Sequence, residues 1–178
     1  MKGVVFNILE EMVIEKCGMS TWNDILQERS LDGVYTSAES YPDEELFSLV
    51  ETISQKTEIP MATLIGAFGE FLFDGLVKKH PVFTDSEDTL KGFLKSIHGV
   101  IHMEVRKLYE NPSLPHFKYE DLSDNELLMR YTSPRKLCIL AEGLIRGAAN
   151  YYNAQIEIDH PVCMHKGDDH CDIIVRFL

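Results

Sequence analysis

His98 and His102 lie one helical turn apart, in a stretch whose apolar residues recur at Leu94, Ile97, Ile101, Val105 and Leu108. That three-and-four spacing is the buried stripe of a core-facing helix, and the prolines at 112 and 115 bring it to a stop. A neutral imidazole aimed inward is a poor core filler unless something takes its lone pair. A haem iron is one such acceptor; a satisfied core histidine is the ordinary alternative.

A second group is Tyr131, Ser133 and Arg135, spaced two residues apart across a strand-to-helix junction. Two hydroxyls and a guanidinium at a helix N-terminus suit a carboxylate or another small anion. Taken singly, each has a plainer role: Ser133 as a helix cap, Arg135 as a surface charge, Tyr131 as a strand aromatic.

The third group is C-terminal, His160-x-x-Cys163-x-His165 and then His170-Cys171. Cys163 and Cys171 flank an expected hairpin turn, and Cys138 on the preceding helix offers a third thiolate. Soft sulfur with one imidazole is what a closed structural zinc site prefers. His160 is the expected fourth ligand, near a strand end and a short interval from Cys163. Buried free thiols, or a disulfide in an oxidising compartment, are the rival readings. Cys17 stands apart and reads as a packed core thiol.

The elements that position these groups follow from the pattern. At 178 residues, 44% of them hydrophobic, the chain suits one domain with a sizeable core. Its net charge of -12 and pI near 4.9 argue against nucleic-acid binding. The start, MKGVVFNILEEM, reads as neither a signal peptide nor a membrane span, so a cytoplasmic protein with reduced cysteines is expected.

Val5, Ile8, Leu9, Met12 and Cys17 trace an N-terminal helix that Gly18 ends, and Ser20 or Thr21 is positioned to cap a second helix to about Arg29. Pro42 with Asp43, Glu44 and Glu45 predicts the start of a third, burying Phe47, Val50 and Ile53. Met61 to Val77 is apolar on most sides, which implies burial on most sides, against helices or a flat ligand. Beyond His116 the period changes to that of strands, at His116–Tyr119 and Leu127–Tyr131. Ser133-Pro134 then predicts a helix over Arg135–Ala149, and a hairpin turns near Lys166-Gly167. Helices first and an antiparallel sheet later makes an α+β fold.

The histidine in I-H-M-E-V-R-K-L-Y, a proline shortly after it, and Tyr131-Thr-Ser133-Pro-Arg135 together resemble the haem nitric oxide/oxygen binding (H-NOX) family, which includes the haem domain of soluble guanylate cyclase. The opening MKG and the length agree, so the resemblance spans the chain as one domain, 1–178, with a helical part over 1–60 and haem-binding helices and sheet over 61–178. It implies haem b buried between these parts and His102 as proximal iron ligand. Tyr131, Ser133 and Arg135 would bind the propionates, and Pro115 would press on the porphyrin. In oxygen-binding members a distal tyrosine stands where this chain has Leu140; Leu9 and Leu72 approximate other distal positions and are also apolar. The resemblance therefore implies a sensor of nitric oxide, with carbon monoxide as a further ligand and no stable oxygen complex. Nitric oxide would break the bond to His102, and the shape change would regulate a separate partner, such as a histidine kinase or a cyclic-di-GMP enzyme.

Two other classes compete. One is a zinc-stabilised interaction or thiol-redox module without haem, in which His102 is a core histidine. The other is a metal-dependent enzyme built from His160, His165, Asp168, Asp169 and His170, on a hairpin with no evident cleft.

Overall fold

The computed structural model describes residues 1–85, 87–108 and 114–178, with backbone alone at 100, 101, 104 and 108. Among them are seven α-helices and four strands in an α+β arrangement: α1 (Gly3–Cys17), α2 (Met19–Arg29), α3 (Asp43–Thr57), α4 (Met61–Lys79), α5 (Leu90–Ser96), α6 (His102–Leu108), β1 (His116–Ser123), β2 (Glu126–Thr132), α7 (Cys138–Tyr151), β3 (Ile156–Val162) and β4 (Cys171–Phe177). The strands form one antiparallel sheet in the order β1-β2-β4-β3.

Gly18, at φ +88°, breaks the chain between α1 and α2 as expected. No side chain caps α2; the Thr21 hydroxyl instead donates to the carbonyl of Cys17 at 2.8 Å. Asp43, Glu44 and Glu45 do fill the first turn of α3, where acidic groups meet the positive end of the helix dipole. Cys17 is exposed, because the core ends about one turn earlier, at Val13. The Met61 end of α4 is also exposed, and its burial begins at Phe68.

Two apolar cores result. Phe6, Ile8, Trp22, Ile25 and Leu49 anchor the first, which also takes Phe68 and Leu72 from α4 and Leu140 from α7. The second joins Phe73, Phe93, Leu94, Phe117, Met129 and Ile173 across α4, α5 and the sheet. Val105 and Leu144 pack against both. Each large side chain removed from water contributes about 1.5–3 kcal/mol, so the cores carry most of the favourable burial.

Glycines bring α4 and α7 together. A Cβ at Gly69 would stand 2.6 Å from the Leu140 carbonyl oxygen, and one at Gly143 2.2 Å from that of Gly66. Only hydrogen at both positions permits this approach, which puts Leu72 and Leu140 in one core. Among the described residues, no single helix is long and apolar enough to cross a membrane.

Candidate functional site

The histidine segment is not one uninterrupted α-helix. Between α5 and α6 lies a π-helical turn, Ile97–Ile101, in which the N–H of His102 reaches the carbonyl of Ile97, five residues back. A wider turn brings side chains four apart close to eclipsed, and such insertions recur at functional sites. The rings of His98 and His102 accordingly meet at 5.9 Å between centroids. Leu94 is buried, and Ile97 and Val105 pack on the core as expected. The side chains of Ile101 and Leu108, and Pro112, lie outside the described residues.

His102 is 7% exposed, with its ring 6.2 Å from that of Phe117. Its Nδ1 is buried without a hydrogen-bond partner. Burial, with smaller contributions from His98 and Arg106, pushes its pKa down to about 4, so the imidazole is neutral near pH 7. An unmet polar atom in such surroundings costs about 1–3 kcal/mol, which a metal or a ligand can recover. A buried neutral imidazole with an unmet nitrogen, beside Phe117 of the second core, fits a ligand to a haem iron. Leu9, Leu72 and Leu140, all nine-tenths or more buried, share the apolar core on the helical side. Pro115 is half-buried at the approach to β1.

The tyrosine-serine-arginine triplet is assembled, though not by the expected helix start. The backbone turns through Pro134 and Arg135, Lys136 takes a left-handed φ of +50°, and α7 begins only at Cys138. Ser133 therefore caps a tight turn: its Oγ accepts the N–H of Arg135 at 3.3 Å. The Tyr131 hydroxyl accepts the N–H of Leu137 at 3.0 Å, and it also bonds the Ser133 side chain. Burial raises the Tyr131 pKa and keeps the phenol neutral.

Arg135 donates to Asp43 Oδ1 at 2.7 Å, and the Met1 ammonium reaches the same oxygen at 2.6 Å. Burial alone would raise the Asp43 pKa; these two cations outweigh it and hold the carboxyl below its ordinary value. In the sequence Asp43 is marked only as an acid at a helix start, and nothing marks Met1. Nothing local links position 43 to position 135.

The thiol cluster also forms. Ligand atoms from Cys138, His160, Cys163 and Cys171 lie within 4.8 Å of one another. Cys138 and Cys171 are wholly buried, and Cys163 nearly so. The sulfurs of Cys138 and Cys163 are 3.9 Å apart, far beyond a disulfide bond. Burial, and then the neighbouring thiols, push the Cys138 thiol above its usual pKa. A divalent cation reverses that preference by taking the thiolate directly, and a three-sulfur, one-nitrogen shell is the donor set of structural zinc.

The hydrolytic alternative does not assemble. His165 bonds the Lys136 carbonyl at 2.7 Å, and Asp168 accepts the Cys163 N–H at 3.0 Å. His170 pairs with Asp169 and lies 3.5 Å from Asp172. These groups serve separate local contacts and do not converge with His160.

A Haem-NO-binding family model matches residues 2–160. The crystal structure of an H-NOX protein from S. oneidensis in the Fe(II)NO ligation state is 47% identical, with a TM-score of 0.96 over 100% of this chain and 99% of that one. The NMR structure of a Shewanella oneidensis H-NOX domain in the Fe(II)CO state is 46% identical, with a TM-score of 0.93 over 100% and 99% of the two chains. The Fe(II) unliganded H-NOX protein from K. algicida is 28% identical, with a TM-score of 0.90 over 100% and 97%.

Proposed function

This chain belongs to the Haem-NO-binding (H-NOX) family of haem-carrying sensor domains, which are not enzymes, and on that premise we propose that it senses nitric oxide through a haem b held by His102. Its buried, neutral imidazole with an unmet nitrogen carries the reading. When bound, the haem would supply a ferrous iron that takes a diatomic gas.

The chain's own residues divide the remaining work. His102 would donate a nitrogen to the iron, and Pro115 would bear on the macrocycle. Tyr131 and Ser133 offer hydroxyl donors to the propionates, and Arg135 offers its charge, which it shares with Asp43. Leu9, Leu72 and Leu140, together in the first core, would present hydrocarbon to the gas. Bound dioxygen gains from a hydrogen-bond donor, whereas nitric oxide and carbon monoxide need little such help. Leucine at 140 therefore favours those two gases over oxygen.

Release of His102 on nitric oxide binding would free its helix to shift against β1, and Val105, which touches both cores, would pass the movement between them. The one domain, 1–178, thus works as two parts that move relative to each other. A separate cytoplasmic signalling protein, a histidine kinase or a cyclic-di-GMP enzyme, reads the change. Cys138, His160, Cys163 and Cys171 hold one structural zinc that fastens α7 to the β3–β4 hairpin; a thiol-redox role for the same sulfurs is compatible with this.

The test is the absorption spectrum of the reduced protein beside His102→Ala. An intense Soret band in the parent, lost in the variant and restored by exogenous imidazole, is expected. A parent that is colourless and takes up no added haemin refutes the assignment.

A further inference from the structure

We propose that Glu142 is a positioning residue for the thiol-cluster metal, fixing the tautomer and aim of His160; the inference rests on the zinc reading above. Glu142 lies one turn after Cys138 on α7, so both project from one face of the helix. Its Oε1 is 2.7 Å from Nδ1 of His160. A carboxylate there accepts a hydrogen bond from Nδ1–H, which leaves the lone pair on Nε2. That Nε2 is buried and has no hydrogen-bond partner. It is the nitrogen left for the three sulfurs.

The backbone supports the same aim. His160 falls where the β3–β4 register shifts between Asp159 and Val162, an irregularity that redirects a side chain on an edge strand. Arg146 holds the other carboxylate oxygen of Glu142 at 3.2 Å. Its charge offsets an acid placed beside a site with three thiolates. A histidine ligand whose second nitrogen binds a carboxylate is oriented and made more basic, and losing that partner weakens metal binding 10- to 100-fold in sites of this kind.

The test compares zinc affinity of the full-length parent, Glu142→Ala and Glu142→Gln by competition with a chromogenic chelator. The absorption spectrum of each protein carrying cobalt in place of zinc gives a second readout. Glu142→Ala is expected to lose about 10- to 100-fold in affinity and to shift the cobalt bands. Glu142→Gln, whose amide oxygen still accepts from Nδ1, recovers part of both. A parent that holds zinc no more tightly than Glu142→Ala, with identical cobalt bands, overturns the role of Glu142 alone. A parent that holds no zinc overturns the metal site and the inference together. Should Glu142→Ala fail to fold, the cobalt bands of Glu142→Gln decide: bands unchanged from the parent, at unchanged affinity, count against the role.

Discussion

Tyr131 on β2 sits directly opposite Cys171 on β4, and its hydroxyl accepts the N–H of Leu137, the residue before Cys138. One side chain is thereby braced between two elements that carry the thiol cluster. On its other side it meets Phe117, whose ring neighbours that of His102. The two candidate sites share one scaffold, and disturbing one should be felt at the other.

Metal removal should therefore loosen the haem. Stripping zinc with a chelator, or substituting Cys163→Ser, is expected to speed haem transfer to an apo-globin acceptor several-fold. Stopped-flow absorbance measures the rate. Equal rates with and without metal mean that Tyr131 is held without help from the cluster.

The α4–α7 contact has little room to give. Gly143→Ala drives a methyl into the Gly66 carbonyl and is expected to cost about 1–3 kcal/mol in urea unfolding. Gly66→Ala is the control, since its Cβ meets nothing nearer than Ile139 at 4.0 Å. Better helix propensity should make that change neutral or stabilising by up to about 1 kcal/mol. If both variants lose the same stability, the glycine contact is not what sets the helix spacing.

Asp43 gives a pH signature. Its folded-state pKa is depressed, so its contribution is present above the unfolded carboxyl range and fades as pH falls through the folded value. Asp43→Asn is expected to be less stable than the parent at pH 7 by about 1–2 kcal/mol, because a charged hydrogen bond is replaced. The gap should close below about pH 4, near the carboxylate's ordinary pKa. Thermal unfolding across that range checks it; a gap independent of pH assigns the loss to packing instead.

Leu140→Tyr places a hydroxyl in the apolar core that Leu140 shares with Leu9 and Leu72. The expected outcome is a Soret band that now responds reversibly to air, at about 1–3 kcal/mol in stability for the added bulk. A variant that folds, binds haem and still ignores air removes position 140 from the control of gas choice.

His102 and the triplet stand out as candidates because both are local signals, a helical stripe and a motif spanning five residues, and only the family resemblance gives them roles. The four-residue thiol and imidazole shell was legible because a hairpin brings Cys163 and Cys171 together, and Cys138 opens the helix beside them. The Asp43–Arg135 pair was not, since the partners are 92 residues apart and each has an ordinary local role. The π turn before His102 also escaped, because a one-residue widening leaves the apolar spacing nearly unchanged. Ser133-Pro134 misplaced the start of α7: a left-handed Lys136 adds a turn that composition does not announce. Cys17 looked like a core residue by its spacing, but the core has no depth left at that end of α1.

The most direct trial is an anaerobic absorption titration of the reduced protein with nitric oxide, then carbon monoxide, then air. Stoichiometric Soret shifts with the first two gases and none on brief exposure to air are predicted. Shifts with air that reverse on degassing, or no change with nitric oxide, would contradict a gas sensor built on His102 and a leucine-lined pocket.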